Sequence, residues 1–176
     1  MFPRARTSVK THRARLYACA HVRAVVDYDP RWPSLYAEEV ERLRPVFGDD
    51  AAFEHVGSTA IPGLAAKPVI DILVGLRSVD LTRKQEAALR RLGYVSRRRD
   101  GRRYFRAGAP RTHYVHVVEL DGPSWQRYLR FRELLRADAA EAAAYAELKR
   151  AAAPLGPAAY ARAKAAHVTA TLRRGR

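Results

Sequence analysis

The run His55-Val56-Gly57-Ser58-Thr59-Ala60-Ile61-Pro62-Gly63-Leu64-Ala65-Ala66-Lys67-Pro68-Val69-Ile70-Asp71-Ile72-Leu73 decides how the chain is read. Phe53 to Val56 reads as a short strand that breaks at a Gly57-Ser58 turn. Pro62-Gly63 limits any helix behind the turn to a brief one. A strand that opens into a helix presents unsatisfied N–H groups and a hydroxyl to an anion, so Gly57, Ser58 and Thr59 are candidate phosphate contacts. Ser58 and Thr59 serve equally well as plain helix caps. Val69 to Gly75 is then a strand apolar on both faces, which predicts a central place in a sheet covered on both sides. Asp71 interrupts it. A carboxylate in the middle of such a strand demands a metal, a proton or a cationic partner to offset its desolvation. Lys67, fixed in an extended approach by Pro68, is that partner, a phosphate contact or a solvated lysine.

Upstream, Ala24-Val25-Val26 reads as a short strand ended by Asp27, Asp29 and Pro30. Pro33 suits the first turn of a helix whose apolar side carries Leu35, Tyr36, Val40, Leu43 and Phe47 and which Pro45 and Gly48 close. Downstream, Asp80 or Thr82 caps a helix from Arg83 to Leu92, with Gly93 as its stop. Asp100-Gly101 between Tyr94–Arg99 and Arg102–Arg106 signals a hairpin. His113 to Leu120 is a further strand, with Tyr114, His116 and Val118 on one face and His113, Val115 and Val117 on the other. After Pro123 the pattern turns helical: Ser124 caps one helix, Asp138 with Glu141 opens an Ala-rich helix to Arg150, and Pro157 opens a last one to Arg173. The fold class is α+β, a mixed or antiparallel sheet with flanking helices and a helical C-terminal region.

The chain has 176 residues, enough for one domain with a proper core. No apolar run approaches the roughly 18 residues that span a bilayer, so no membrane segment is expected. The single cysteine, Cys19, rules out an intramolecular disulfide framework and fits the reducing cytoplasm. No secretory leader is visible, since the basic N-terminus lacks a sustained hydrophobic segment. Residues 1–24 hold six basic side chains and no acid, and read as a basic, flexible extension ahead of a single domain from 25 to 176. The formal charge of +15 invites a nucleic-acid reading, but the excess of Arg over Lys and the abundance of Ala point first to coding bias in a GC-rich genome.

The quoted run closely resembles the hallmark of the GrpB family, H-[IV]-G-S-T-[AS]-[IV]-P-G-L-x-[AG]-K-P-[IV]-[IV]-D-[IL], at every position. The resemblance continues through Val26–Pro33, His113–Val117, Phe131–Arg136, Tyr145–Lys149 and Tyr160–Lys164. GrpB proteins look like members of the nucleotidyltransferase-fold superfamily, whose signature is a Gly-Ser turn followed by an acidic-apolar-acidic strand. The resemblance implies a protein that binds a nucleotide or phosphorylated small molecule and transfers a nucleotidyl group, with Mg²⁺ at Asp71. The second acid of the signature is here Leu73, which leaves one metal or none. Family members fused to dephospho-CoA kinase domains imply an alternative, a non-catalytic partner or sensor in coenzyme A metabolism. The chain has no G-x-x-x-x-G-K-[ST] loop and is not that kinase itself.

Other candidates follow from position. His116 is a base, metal ligand or phosphate contact, or a core histidine; His113 points to the opposite face, so the two rings cannot easily share one ion. His55 orients Asp71 across adjacent strands or fills the sheet. Arg103 belongs to a strand where arginines alternate with aromatics and is either a phosphate contact or a solvated edge charge. Arg132, Lys149 and Lys164 fall at family-like positions on the C-terminal helices and either line the cleft or form ion pairs. Trp32 and Trp125 are packing residues.

Overall fold

A computed structural model describes residues 24–99 and 102–175. The elements run α1 (Trp32–Phe47), β1 (Ala52–Val56), a 3₁₀ turn (Ser58–Ala60), β2 (Ile70–Leu76), α2 (Arg83–Arg91), β3 (Val95–Arg99), β4 (Arg102–Ala107), β5 (His113–Glu119), α3 (Pro123–Ala137), α4 (Ala139–Ala152), a second 3₁₀ turn (Ala153–Leu155) and α5 (Pro157–Arg174). The strands form one mixed sheet in the order β1-β2-β5-β4-β3. Only β2 and β5 are parallel. Their crossover, through α2 and the β3–β4 pair, puts the most apolar strand beside its partner and leaves β3 at the edge.

Strand alternation sorts the side chains into two layers. Ile70, Ile72, Val74, Leu76, Phe105, Val115 and Val117 join Trp32, Val40, Leu43 and Phe47 of α1 and Leu89 of α2 in the main core. On the other face Val56, Leu73 and Val118 are closed by Trp125 of α3. Gly75 is required there, because a Cβ on it would stand 2.7 Å from the Trp125 ring. A third cluster joins Ile61, Leu64 and Ala65 to Leu135 of α3 and Tyr145 and Ala146 of α4. The helices thus clamp the segment between β1 and β2 from outside the sheet.

Several local expectations change. The strand at Ala24–Val26 reduces to a single bridge, Val26 to Ala66. Pro45 lies inside α1, which runs on to Phe47. Thr82, and not Asp80, caps α2: its hydroxyl accepts from the Gln85 N–H while the Gln85 side chain accepts from the Thr82 N–H. Gly122 takes the N-cap position of α3, because Pro123 is itself the first helical residue and displaces Ser124 into the first turn. Asp138 caps α4, but Glu141 turns away to Thr171 and Arg174 of α5. The turn at Asp100-Gly101 and the segment 1–23 lie outside the described residues. Among the described residues no helix is long and apolar enough to cross a membrane.

Candidate functional site

Asp71 sits at the second residue of β2, its side chain 26% exposed, and not in the middle of the covered core. β2 starts only after Pro68, so Asp71 falls where the sheet opens, while Leu73, one pleat on, is wholly buried. His116 lies one strand over and one pleat along. Its Nε2 is 3.0 Å from Asp71 Oδ1, and the Tyr128 hydroxyl lies 3.4 Å from its Nδ1. Both ring nitrogens are engaged, so His116 holds the carboxylate in place and is itself held from α3. Gly57 approaches from the other side. It follows Val56, the register partner of Asp71, with φ of 73°, and a Cβ on it would lie 2.5 Å from Asp71 Oδ2. Only glycine combines that backbone with that approach.

The helix that opens at the Gly57-Ser58 turn is as brief as Pro62-Gly63 requires. Ser58 to Ala60 make a single 3₁₀ turn that ends ahead of Pro62-Gly63, too short to build a helix dipole. Thr59 is buried and turned to the Val69 carbonyl (3.4 Å) and His55 Nε2 (3.1 Å). Ser58 hydrogen-bonds Tyr145 of α4.

Across from Asp71 stand two Tyr-x-x-x-Lys pairs, Tyr145/Lys149 on α4 and Tyr160/Lys164 on α5. Four-residue spacing puts each ring and ammonium on one helix face. Lys149 is fully buried, donates to the Ala65 carbonyl and lies 4.7 Å from the Tyr145 ring centre. Burial, with Lys164 and Arg150 nearby, lowers its pKa to about 7. Lys67 stands 3.8 Å and Lys164 5.5 Å from the Tyr160 ring centre. Burial raises the Tyr145 and Tyr160 hydroxyl pKa values, and the Asp71 charge adds to both, which places carboxylate and tyrosines within electrostatic reach. The result is a carboxylate at the opening of the sheet with an aromatic and cationic cluster on α4 and α5 in electrostatic reach, in which Tyr145 and Lys149 are buried and Lys67, Tyr160 and Lys164 are half-buried. The tyrosines escaped the sequence reading, although the repeated Tyr-x-x-x-Lys spacing was there to find them.

Four sequence candidates lie elsewhere. His55 is on the closed face, stacked on Tyr36 at 4.7 Å, and burial lowers its pKa to about 4. His113 is buried on that face with Nδ1 2.8 Å from Thr112 Oγ1. Arg103 also points there and pairs with Glu86 of α2 at 2.6 Å. Arg132 braces α3 against β1 through Glu54 (2.6 Å) and the His55 carbonyl (2.8 Å). Arg136 does the same for the turn, donating to the Ala60 carbonyl at 2.8 Å.

The family model described as GrpB protein matches residues 23–174. The chain belongs to the GrpB family. A crystal structure of the conserved protein GrpB from Enterococcus faecalis is 32% identical, with a TM-score of 0.71, covering 87% of this chain and all of that one. The UPF0157 protein YqkA of Bacillus subtilis is 40% identical over 72% of this chain. This GrpB chain spans only 38% of YqkA. A dephospho-CoA kinase of Mycolicibacterium paratuberculosis is 45% identical over 37% of this chain, a match that takes in 17% of the kinase.

The donor set limits what metal this GrpB protein can hold. Among the described residues no three His, Cys, Asp or Glu converge. Where a second acid would stand, Leu73 packs against Val56, Val118 and Trp125. A two-metal site does not fit. A single Mg²⁺, which keeps several waters and borrows oxygens from a phosphate, asks for one carboxylate, and Asp71 fits that.

Proposed function

We propose that this protein binds a nucleotide or another phosphorylated small molecule in the cleft between Asp71 and the Tyr145/Lys149–Tyr160/Lys164 wall, in the manner of a nucleotidyltransferase fold. The observation that carries the reading is Lys149: a lysine buried without a carboxylate partner among the described residues, in a cluster with Lys67 and Lys164 around the Tyr145 and Tyr160 rings. Such a cation is costly until an anion joins it. Phosphate oxygens would take Lys149 and Lys164, and Tyr145 and Tyr160 would wall the site against water. Asp71, oriented by His116, holds the cation side of the ligand or accepts a proton from an acceptor hydroxyl. A Mg²⁺ bound at Asp71 would bridge phosphate oxygens and spread their charge.

The test is a thermal-shift and calorimetric screen of nucleoside triphosphates, coenzyme A precursors and nucleotide sugars, each with and without Mg²⁺. A ligand at a hundredfold excess over its dissociation constant stabilises by about 2.7 kcal/mol. Lys149→Met should weaken binding by roughly 10- to 100-fold, the worth of a charge-assisted hydrogen bond. Absence of any shift across the screen overturns the reading. Binding should also weaken as pH rises above about 7, where Lys149 loses its proton.

A second reading, a non-catalytic partner of dephospho-CoA kinase, is supported by the kinase match and by Leu73 at the second acid position. Co-purification with such a kinase, without turnover of any nucleotide, would favour it.

A further inference from the structure

The face of the sheet that bears Asp71 continues past His116 towards the edge. Register lays two rows across it, Asp71-Tyr114-Arg106-Val95 and Leu73-His116-Tyr104-Arg97. No carboxylate follows Asp71 in either row. The aromatic rings touch in a group: centres are 5.6 Å apart for Tyr104 and Tyr114, 6.1 Å for Tyr104 and His116, and 5.9 Å for Tyr114 and His116. Arg111 borders them, its guanidinium 5.4 Å from the Tyr114 ring centre and donating to the Tyr114 hydroxyl. The strip meets solvent in part: Val95 is 47% exposed, Arg97 and Arg111 are exposed, and Tyr104, Arg106 and Tyr114 are half-buried. Three inter-strand steps of about 4.8 Å carry it roughly 14 Å from Asp71 to β3.

This surface has flat rings at its centre, guanidinium groups around them, and a length beyond that of one mononucleotide. Flat rings stack on bases of any identity, and guanidinium groups take the repeated phosphates of a backbone. A duplex keeps its base faces hidden and gains nothing from the rings. We infer that the open face of β5, β4 and β3 is a stacking platform for single-stranded nucleic acid, with bases on Tyr104 and Tyr114 and phosphates on Arg97, Arg106 and Arg111. The platform adjoins the small-molecule site at Asp71 and His116 but places its bases and phosphates on other residues, and it uses neither Lys149 nor the tyrosines of α4 and α5.

A protein of charge +15 attracts any polyanion, so the experiment must separate stacking from charge. Fluorescence anisotropy is recorded over a salt series with the full chain, using a labelled oligothymidylate of about twelve nucleotides and a hairpin duplex of similar charge. The single strand should bind more tightly than the duplex. Tyr104→Ala and Tyr114→Ala should each weaken single-strand binding about 5- to 100-fold without changing the salt slope, while Tyr→Phe at either position keeps it within about twofold. Arg106→Gln should lower the slope by about 0.7. If Tyr104→Ala fails to fold, Arg97→Gln with Arg106→Gln at the rim still reports through the slope. Duplex binding as tight as single-strand binding, Tyr→Ala variants within twofold of the unchanged protein, or an unchanged slope in the arginine variants would overturn the platform.

Discussion

The two faces of the sheet are built from the same strands and treat polar groups in opposite ways. On the closed face, under α1 and α2, every functional-looking side chain is met by a partner. Glu39, 3% exposed, receives the Tyr94 hydroxyl at 2.8 Å and Arg42 at 2.6 Å. Arg103 pairs with Glu86, and His55 stacks on Tyr36. On the open face His116 meets Asp71 at 3.0 Å, and the buried Lys149 has a backbone carbonyl and no carboxylate as its acceptor among the described residues. Closed-face polarity holds the layers in register. Beside that face one buried cation, Lys149, is left without a carboxylate among the described residues.

The sharpest way to break this contrast is to restore the second acid. Leu73→Asp puts a carboxylate among Val56, Val118 and Trp125 and should cost about 4 kcal/mol in urea unfolding, with no gain in Mg²⁺ affinity. A stable variant that binds the metal would show that this pocket can open. Gly57→Ala should cost on the order of 3 kcal/mol, combining a Cβ 2.5 Å from Asp71 Oδ2 with strain at positive φ. A loss below about 1 kcal/mol would show that Asp71 yields to the added methyl and that the Gly57 approach does not constrain the carboxylate.

His55 probes the closed face by pH. Its folded pKa of about 4 lies below the ordinary 6.5, so the unfolded chain binds the proton more readily. The contribution of His55 to stability is therefore complete above about 6.5 and falls as pH drops towards 4, by roughly 3 kcal/mol, and His55→Gln should flatten that limb of the stability curve. A curve unchanged by the substitution would remove His55 from the closed-face ledger. The smallest stability effect belongs to Asp71→Asn, under about 1 kcal/mol because the carboxylate is part-exposed, yet it should abolish Mg²⁺-dependent ligand binding. A large loss of stability with ligand binding intact would invert the comparison.

How far the sequence carried this picture depends on the range of the interaction involved. The β2 and β5 strands, the capping of α2 by Thr82 and the opposite facing of His113 and His116 all follow from neighbours within a few residues, through pleat alternation and local hydrogen bonding. The brief helix expected behind Ser58 ahead of Pro62-Gly63 is a single 3₁₀ turn, three residues long. Arg103 read as a phosphate contact or a solvated edge charge, and Arg132 as a cleft residue or an ion-pair partner, an ion pair it does form with its neighbour Glu133 at 2.7 Å. The pairs that cross between elements, Arg103 with Glu86 and Arg132 with Glu54, are supplied by the fold, and no local pattern names them.

By itself, then, the sequence determined the α+β class, the family, the mixed apolar strand with a lone Asp71, and the faces on which each strand residue lies. These are short-range consequences of periodicity, turn chemistry and a long specific motif. Only the tertiary structure decided that β2 and β5 run side by side, that Asp71 stands at the opening and not in the core, and that Tyr145, Lys149, Tyr160 and Lys164 close the opposite wall. Those facts depend on how α4 and α5 dock against the segment between β1 and β2. That docking is set by the packing of Ile61, Leu64, Leu135 and Tyr145, residues far apart in the chain whose contact no local propensity specifies.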